Sequence, residues 1–286
     1  MNEKPGVILT EEAARTEEEL NLLRYKRALQ RRSFLRNVGL AGAGIAAGMA
    51  IQGCSDSNSG GGGTVQAQGP SETDVLNFAL NLEYLEAEFY AVAVTGTTLN
   101  SSVVGATSAA TGGAKVTFTD QRVADIAAEI ANDEMLHVEF LRTALGGMAV
   151  AEPAINLNAL GIGFGSQAEF LTLARAFEDT GVSAYAGAAT LLSGNNLQAA
   201  AQILATEAYH AGNIRLNIVQ AGLTVPALDS QDVPPTEQHF FPVDSNALAI
   251  KRTTSQVLAI VYANSASGTA SGGFYPNGLN GNIKTV

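Results

Sequence analysis

The 286-residue chain holds one cysteine, three histidines and only 15% charged residues. A single cysteine excludes an internal disulfide and any zinc or iron–sulfur cage made of thiolates. With three imidazoles available, any metal chemistry must be built mostly from carboxylates. Basic residues are scarce too, 16 Lys+Arg against 27 Asp+Glu for a formal charge of -11, which argues against a phosphate backbone and hence against nucleic acid as a partner. The apolar run near the N-terminus, Val38 to Ile51, has 14 residues, short of the roughly 20 that a membrane-spanning helix needs. What is present is 46% hydrophobic residues, enough to bury a core in one or two domains.

Residues 1–53 read as an address. Arg31-Arg32-Ser33-Phe34-Leu35-Arg36 precedes the Gly/Ala-rich apolar run, an order that resembles a twin-arginine export signal. The sole cysteine follows at Ile51-Gln52-Gly53-Cys54, a lipobox-like end that marks Cys54 for lipidation, although Gln52 departs from the small residues usual there. Cleavage elsewhere in the Gly-rich stretch and an uncleaved anchor are the alternatives. Residues 54–70, rich in Ser and Gly, cannot pack a core and read as a tether. From Cys54 onward the chain carries 8 Lys+Arg against 21 Asp+Glu, so the acidity belongs to the part expected to be exported.

Four segments then show helical periodicity, at about 71–95, 119–145, 166–193 and 196–221, within a bundle expected over 71–223. Ser71 with Asp74 and Ser166 with Glu169 have capping-box spacing, and Gly146-Gly147, Gly194 and Gly222 read as helix stops. Residues 224–286 hold Pro226, Pro234, Pro235 and Pro242, which implies an extended wrap, then a short fifth helix over 247–263 and a Gly/Asn-rich tail. No alternating strand pattern is evident, so the fold class is all-α.

Two helices carry a glutamate where an apolar stripe should be unbroken. Glu83 lies amid Leu76, Leu80, Ala87, Tyr90 and Val94, and Glu178 amid Leu171, Ala174, Gly181, Val182, Tyr185 and Ala189. Burying a lone carboxylate is costly, so each needs a cation or a hydrogen-bond network. The other two helices supply Glu134-x-x-His137 and Glu207-x-x-His210, each placing a carboxylate and an imidazole one turn apart on one side. One such pair alone would read as a surface ion pair. Two pairs, alternating with two buried glutamates, do not. The order also looks duplicated, since tyrosine follows the stripe glutamate by seven residues in both halves (Tyr90, Tyr185) and arginine follows the motif glutamate by eight (Arg142, Arg215). Antiparallel assembly of two such hairpins brings four glutamates and two histidines to the centre, the pattern of di-iron or di-manganese carboxylate bundles.

These residues resemble the ferritin-like superfamily from about Ser71 to Gly222. Asp133-Glu134-Met135-Leu136-His137 is similar to the second-helix signature of bacterioferritins and of the ribonucleotide reductase small subunit. The export signal, long loops and Pro-rich C-terminal part resemble the desiccation-related group of exported ferritin-like proteins. The resemblance implies a ferritin-like four-helix bundle holding two Fe or Mn ions, with Glu83 and Glu178 as terminal ligands, Glu134 and Glu207 as bridges, and His137 and His210 binding one ion each. It further implies that Asp133 accepts a hydrogen bond from the histidine of the opposite motif; Thr206 stands at the corresponding place before Glu207.

Other residues rank lower. Glu86 is an alternative ligand, but its place at the stripe's edge favours a solvated or salt-bridged role; Glu88 and Glu139 read as surface. Tyr90, Tyr185 and Tyr209 are expected as core aromatics, with hydrogen bonding to a metal ligand or a redox role as the alternative. Arg142 and Arg215 read as late-helix charges that complement the helix dipole. The function expected is an exported, lipid-anchored di-metal protein that reacts with oxygen or peroxide in a ferroxidase, peroxidase or catalase-like manner. The rival is a structural stress- or desiccation-related bundle whose metal site is vestigial or purely structural. Oligomeric state is left open.

Overall fold

The computed structural model describes residues 69–105 and 110–286. The arginine pair, Cys54 and the tether up to residue 68 lie outside the described residues. Six α-helices follow: α1 (Glu72–Thr95), α2 (Ser101–Val104), α3 (Gln121–Leu145), α4 (Gln167–Ala188), α5 (Gly194–Gln220) and α6 (Thr254–Val261). Among the described residues extended pairing is limited to isolated bridges, and no helix is long and apolar enough to cross a membrane.

Local chemistry sets most helix ends. Ser71 and Asp74 form the full capping box, with Ser71 Oγ accepting from the Asp74 amide at 3.1 Å and Asp74 Oδ2 accepting from the Ser71 amide at 3.0 Å. Ser166 caps α4, but the Glu169 carboxylate turns away to the amides of Gly163 and Gly165, so only half of that box exists. Three boundaries differ from the sequence reading. Asp120 caps α3 by accepting from the Arg122 amide at 2.9 Å, which delays the start to Gln121. Gly194 opens α5, and α4 ends earlier in a 3-10 turn at Ala189–Leu191. The fifth helix expected from 247 begins only at Thr254, because Thr253 and Gln256 make a capping box there while Ala247 sits at φ 59 in a turn closed by the Val243–Ala249 bridge.

The helices pair as two hairpins, α1 with α3 and α4 with α5. Both are antiparallel. Glu83 meets His137 while Asn77 meets Met148, and Gly181 faces Glu207 while Asp179 meets Arg215. On α1 every residue from Val75 to Ala93 is buried, far more than one stripe. The reason is long-range: the C-terminal segment covers its outer side, with Tyr275 donating to Asn81 O at 2.7 Å and Asn280 bonding Asn81 through both groups.

The arginines act inside the fold, contrary to the dipole role expected of them. Arg215 is fully buried, pairs with Asp179 at 2.7 Å and donates to the carbonyls of Val233 and Phe240, both at 2.7 Å. Arg175 joins Asp179 at 2.6 Å to Asp232 at 2.5 Å. Together they pin the Pro-rich wrap to the second hairpin. Arg142 repeats the device in the first hairpin, donating to Tyr84 Oη, Val104 O and Val150 O. In both halves the arginine thus grips the residue that follows the stripe glutamate, Tyr84 after Glu83 and Asp179 after Glu178.

Asp179 carries the network, since two buried guanidinium groups face one carboxylate. Asp179→Ala should cost about 3–5 kcal/mol in urea unfolding, because it leaves buried charge uncompensated. A loss below about 1 kcal/mol would mean that the backbone carbonyls alone satisfy Arg215.

Candidate metal centre

Each helix of the two hairpins delivers its ligand-type residues to the bundle centre. Glu83 comes from α1, Glu134 and His137 from α3, Glu178 from α4, and Glu207 and His210 from α5. The four carboxylates are fully buried; the imidazoles of His137 and His210 keep slight exposure, 12% and 8%.

Their atoms converge on two adjacent points. Around the first lie His137 Nδ1, Glu83 Oε2 at 3.0 Å, Glu134 Oε2 at 3.2 Å and Glu207 Oε1 at 3.3 Å. Around the second lie His210 Nδ1, Glu134 Oε1 at 2.9 Å and Glu178 Oε2 at 3.4 Å. Glu134 belongs to both groups and turns one oxygen to each imidazole; Glu207 belongs to the first only. The ring centroids are 6.3 Å apart.

Several of these atoms lack any hydrogen-bond partner despite complete burial: Glu134 Oε1, Glu178 Oε2, both oxygens of Glu207, and His210 Nδ1. His210 Nδ1 and Glu134 Oε1 approach to 2.9 Å without hydrogen-bonding alignment, so their lone pairs aim at shared space and not at each other. That arrangement fits a cation. Oxygen donors with one imidazole per position form a hard set suited to Fe or Mn, and two divalent ions would balance four carboxylates.

Electrostatics describes the same demand. Burial pushes the Glu83 carboxyl up to about 7 against the pull of the His137 imidazole. Burial raises Glu178 too, and raises Glu207 further, with the Glu134 charge adding to it. Glu134 is the exception: burial opposes its ionisation, but His137 and His210 on either side hold it below the usual carboxylate range.

A second layer fixes the glutamates crosswise. Tyr90 of α1 donates to Glu178 Oε1 of α4 at 2.5 Å, and Tyr185 of α4 donates to Glu83 Oε1 of α1 at 2.5 Å. Each tyrosine occupies one oxygen and leaves the other turned to the imidazoles. Asp133 Oδ2 stands 3.6 Å from His210 Nε2, long for a hydrogen bond but near enough to favour that ring orientation. Thr206 instead bonds back to Gln202 O within its own helix.

Three expectations need correction. Tyr209 is 71% exposed and far from a core position. Glu88 is not on the surface but completely buried, whereas Glu139 is exposed. Glu86 is buried as well, not solvated at a stripe's edge, though it is in neither converging group. Burial, then the charge of Glu207, push its carboxyl well above the usual range, and a cavity of about 10 Å³ adjoins it. The space comes from the other repeat. Three residues after Glu83 stands Glu86; three after Glu178 stands Gly181, where a Cβ would lie 2.5 Å from Glu207 Oε2 and 3.1 Å from Glu86 Oε1. Sequence reading missed Gly181, although the duplicated register aligned it with Glu86.

Gly181→Ala should therefore displace the Glu207 carboxylate and cost about 1–3 kcal/mol as overpacking. Unchanged thermal unfolding would show that Glu207 yields freely.

No curated protein matches the chain. The model of the Ferritin-like domain family matches residues 71–220, just over half of the chain and the span from the α1 cap to the last residue of α5. With four helices in two hairpins converging carboxylates and imidazoles on one centre, the chain belongs to the ferritin-like domain family.

Proposed function

We propose that this is an exported, lipid-anchored protein that holds two Fe or Mn ions and reacts with oxygen or peroxide. The observation that carries the reading is Glu134, whose two oxygens address two imidazoles in a buried space where five polar atoms have no protein partner. Glu83, Glu134, His137 and Glu207 would hold one ion, and Glu134, Glu178 and His210 the other. When bound, two such ions would supply joint electron exchange with oxygen or peroxide.

The chain's own part is to hold the ligands and exclude bulk water. Tyr185 and Tyr90 fix the outer oxygens of Glu83 and Glu178, which sets the direction of the inner ones. Burial, then the neighbouring Glu207 charge, raise the Glu86 carboxyl well above the usual carboxylate range, which favours its neutral form beside the centre. The slightly exposed histidine edge is the side open to small reactants. The reading takes in ferroxidase, peroxidase and catalase-like turnover, which oxygen- and peroxide-consumption assays separate.

Purified protein should hold close to two Fe or Mn ions per chain, as counted by elemental analysis. His137→Ala and His210→Ala should each lower occupancy and the melting temperature, since metal bound only to the folded state stabilises it. Wild-type metal content and melting in both variants would overturn the assignment.

The address is tested separately. Lysines in place of Arg31 and Arg32 should strand the precursor inside, and Cys54→Ala should release exported protein from the membrane fraction. Membrane retention of the Cys54→Ala form would refute lipid anchoring.

A further inference from the structure

A second pair of buried carboxylates lies outside the metal centre. Glu88 of α1 is 0% exposed and Glu152, in the segment after α3, is 5% exposed. The Leu99 amide donates to both oxygens of Glu88, at 3.1 and 3.2 Å, and the Glu152 amide donates to Val104 O at 3.1 Å. No donor reaches either carboxylate oxygen of Glu152. What faces them, in hydrogen-bond range, is the Glu88 carboxyl.

Among the described residues no side-chain cation pairs with either acid. On α1, Tyr84 donates its hydroxyl to Val150 O, and on α3 Arg142 directs Nη1 to Tyr84, Val104 O and Val150 O. From the C-terminal segment, Tyr275 donates to Asn81 O. The duplicated position sharpens the contrast. Five residues after Glu83 stands Glu88; five after Glu178 stands Ser183, whose hydroxyl accepts from Arg252 at 2.9 Å. In the second repeat a guanidinium from the C-terminal segment meets this place, whereas in the first Glu88 meets another acid.

Two carboxylates in hydrogen-bond range of each other, with no side-chain cation paired to either, bond to one another only through a proton held between them. We propose that Glu88 and Glu152 share one proton at neutral pH, and that this pair is an alkali-sensitive latch tying residues 97–105 and the segment after α3 to α1. Glu88 holds the segment through the Leu99 amide and Glu152 through Val104 O, so one shared proton joins both attachments. Ionising the second acid would set two anions against each other in a dry site and release them.

The pH dependence follows. Burial, then the Glu88 charge, push the Glu152 carboxyl up to about 9, whereas the unfolded chain loses that proton near the ordinary value of 4.5. Across that window the folded state binds one proton more, so stability falls as pH rises.

The test compares thermal unfolding of the full wild-type chain and Glu152→Gln from about pH 6 to about pH 9, with Leu99 amide exchange corrected for its intrinsic rate. Glutamine keeps the shape and donates to Glu88 permanently. Near pH 6 the two should melt alike. Toward pH 9 the wild type should lose stability faster, by the slope of one proton, and Leu99 protection should drop in the wild type alone. Parallel slopes would overturn the proposal. So would a melting temperature raised by Ca2+ or Mg2+ in the wild type and not in the variant, which would identify a cation as the occupant. Should the variant fail to fold, Leu99 protection that stays constant in the wild type across the same range would overturn it.

Discussion

Negative charge buried at the centre of the bundle governs the rest of this structure. Four glutamates from four helices are shut off from bulk solvent, and each would be strongly disfavoured there alone. Their neighbours answer that demand in layers: two imidazoles, two tyrosine hydroxyls aimed at the outer oxygens, and unpartnered lone pairs directed at common points. A bundle with an apolar centre would tolerate slippage between hairpins, but here a shift of one turn would separate every carboxylate from its partner.

The second constraint is cover. α1 and α4 present their glutamates inward yet are buried on their outer sides too, because loops and the C-terminal segment close over them. The closure is polar at its anchor points. Arg142 and Arg215 reach from the E-x-x-H helices to backbone carbonyls of the covering segments, and Arg252 ties Ser183 to Asp229. Carbonyls that a loop would otherwise leave unsatisfied become the acceptors that hold it down. The ligand helices and the irregular cover therefore share one set of charged links.

The sequence reading reached the helices and all six centre residues because both rest on local spacing. Periodicity places a helix, and a carboxylate three residues before a histidine shares its face whatever surrounds it. The failures were non-local. Glu88 read as surface, and Glu86 as solvated or salt-bridged at a stripe's edge, because their helix was given one buried stripe; Glu88 is instead covered by Leu99 and Glu152, and Glu86 lies against Gly181 of the other hairpin, approaches that no spacing announces. The late start of α6 is of another kind. Thr253 and Gln256 spelled a capping box, and the apolar residues upstream of it concealed the true boundary. Gly181 was counted as part of a stripe, when its value lies in the side chain it lacks.

The crosswise tyrosines carry one more meaning. Tyr90 serves Glu178 and Tyr185 serves Glu83, so each hairpin completes the other by the same contact made in reverse. That reciprocity is the mark of an isologous interface, the kind a two-fold dimer of one hairpin would form. A true dimer would be bound to identical residues on both sides of its axis. Joined in one chain, the halves are free to differ, and they do so where it counts: Glu86 on one side of the axis leans into the room left by Gly181 on the other. A symmetric pair would have held two glycines or two crowded acids. The single extra carboxyl at this centre is a shape that only fusion permits.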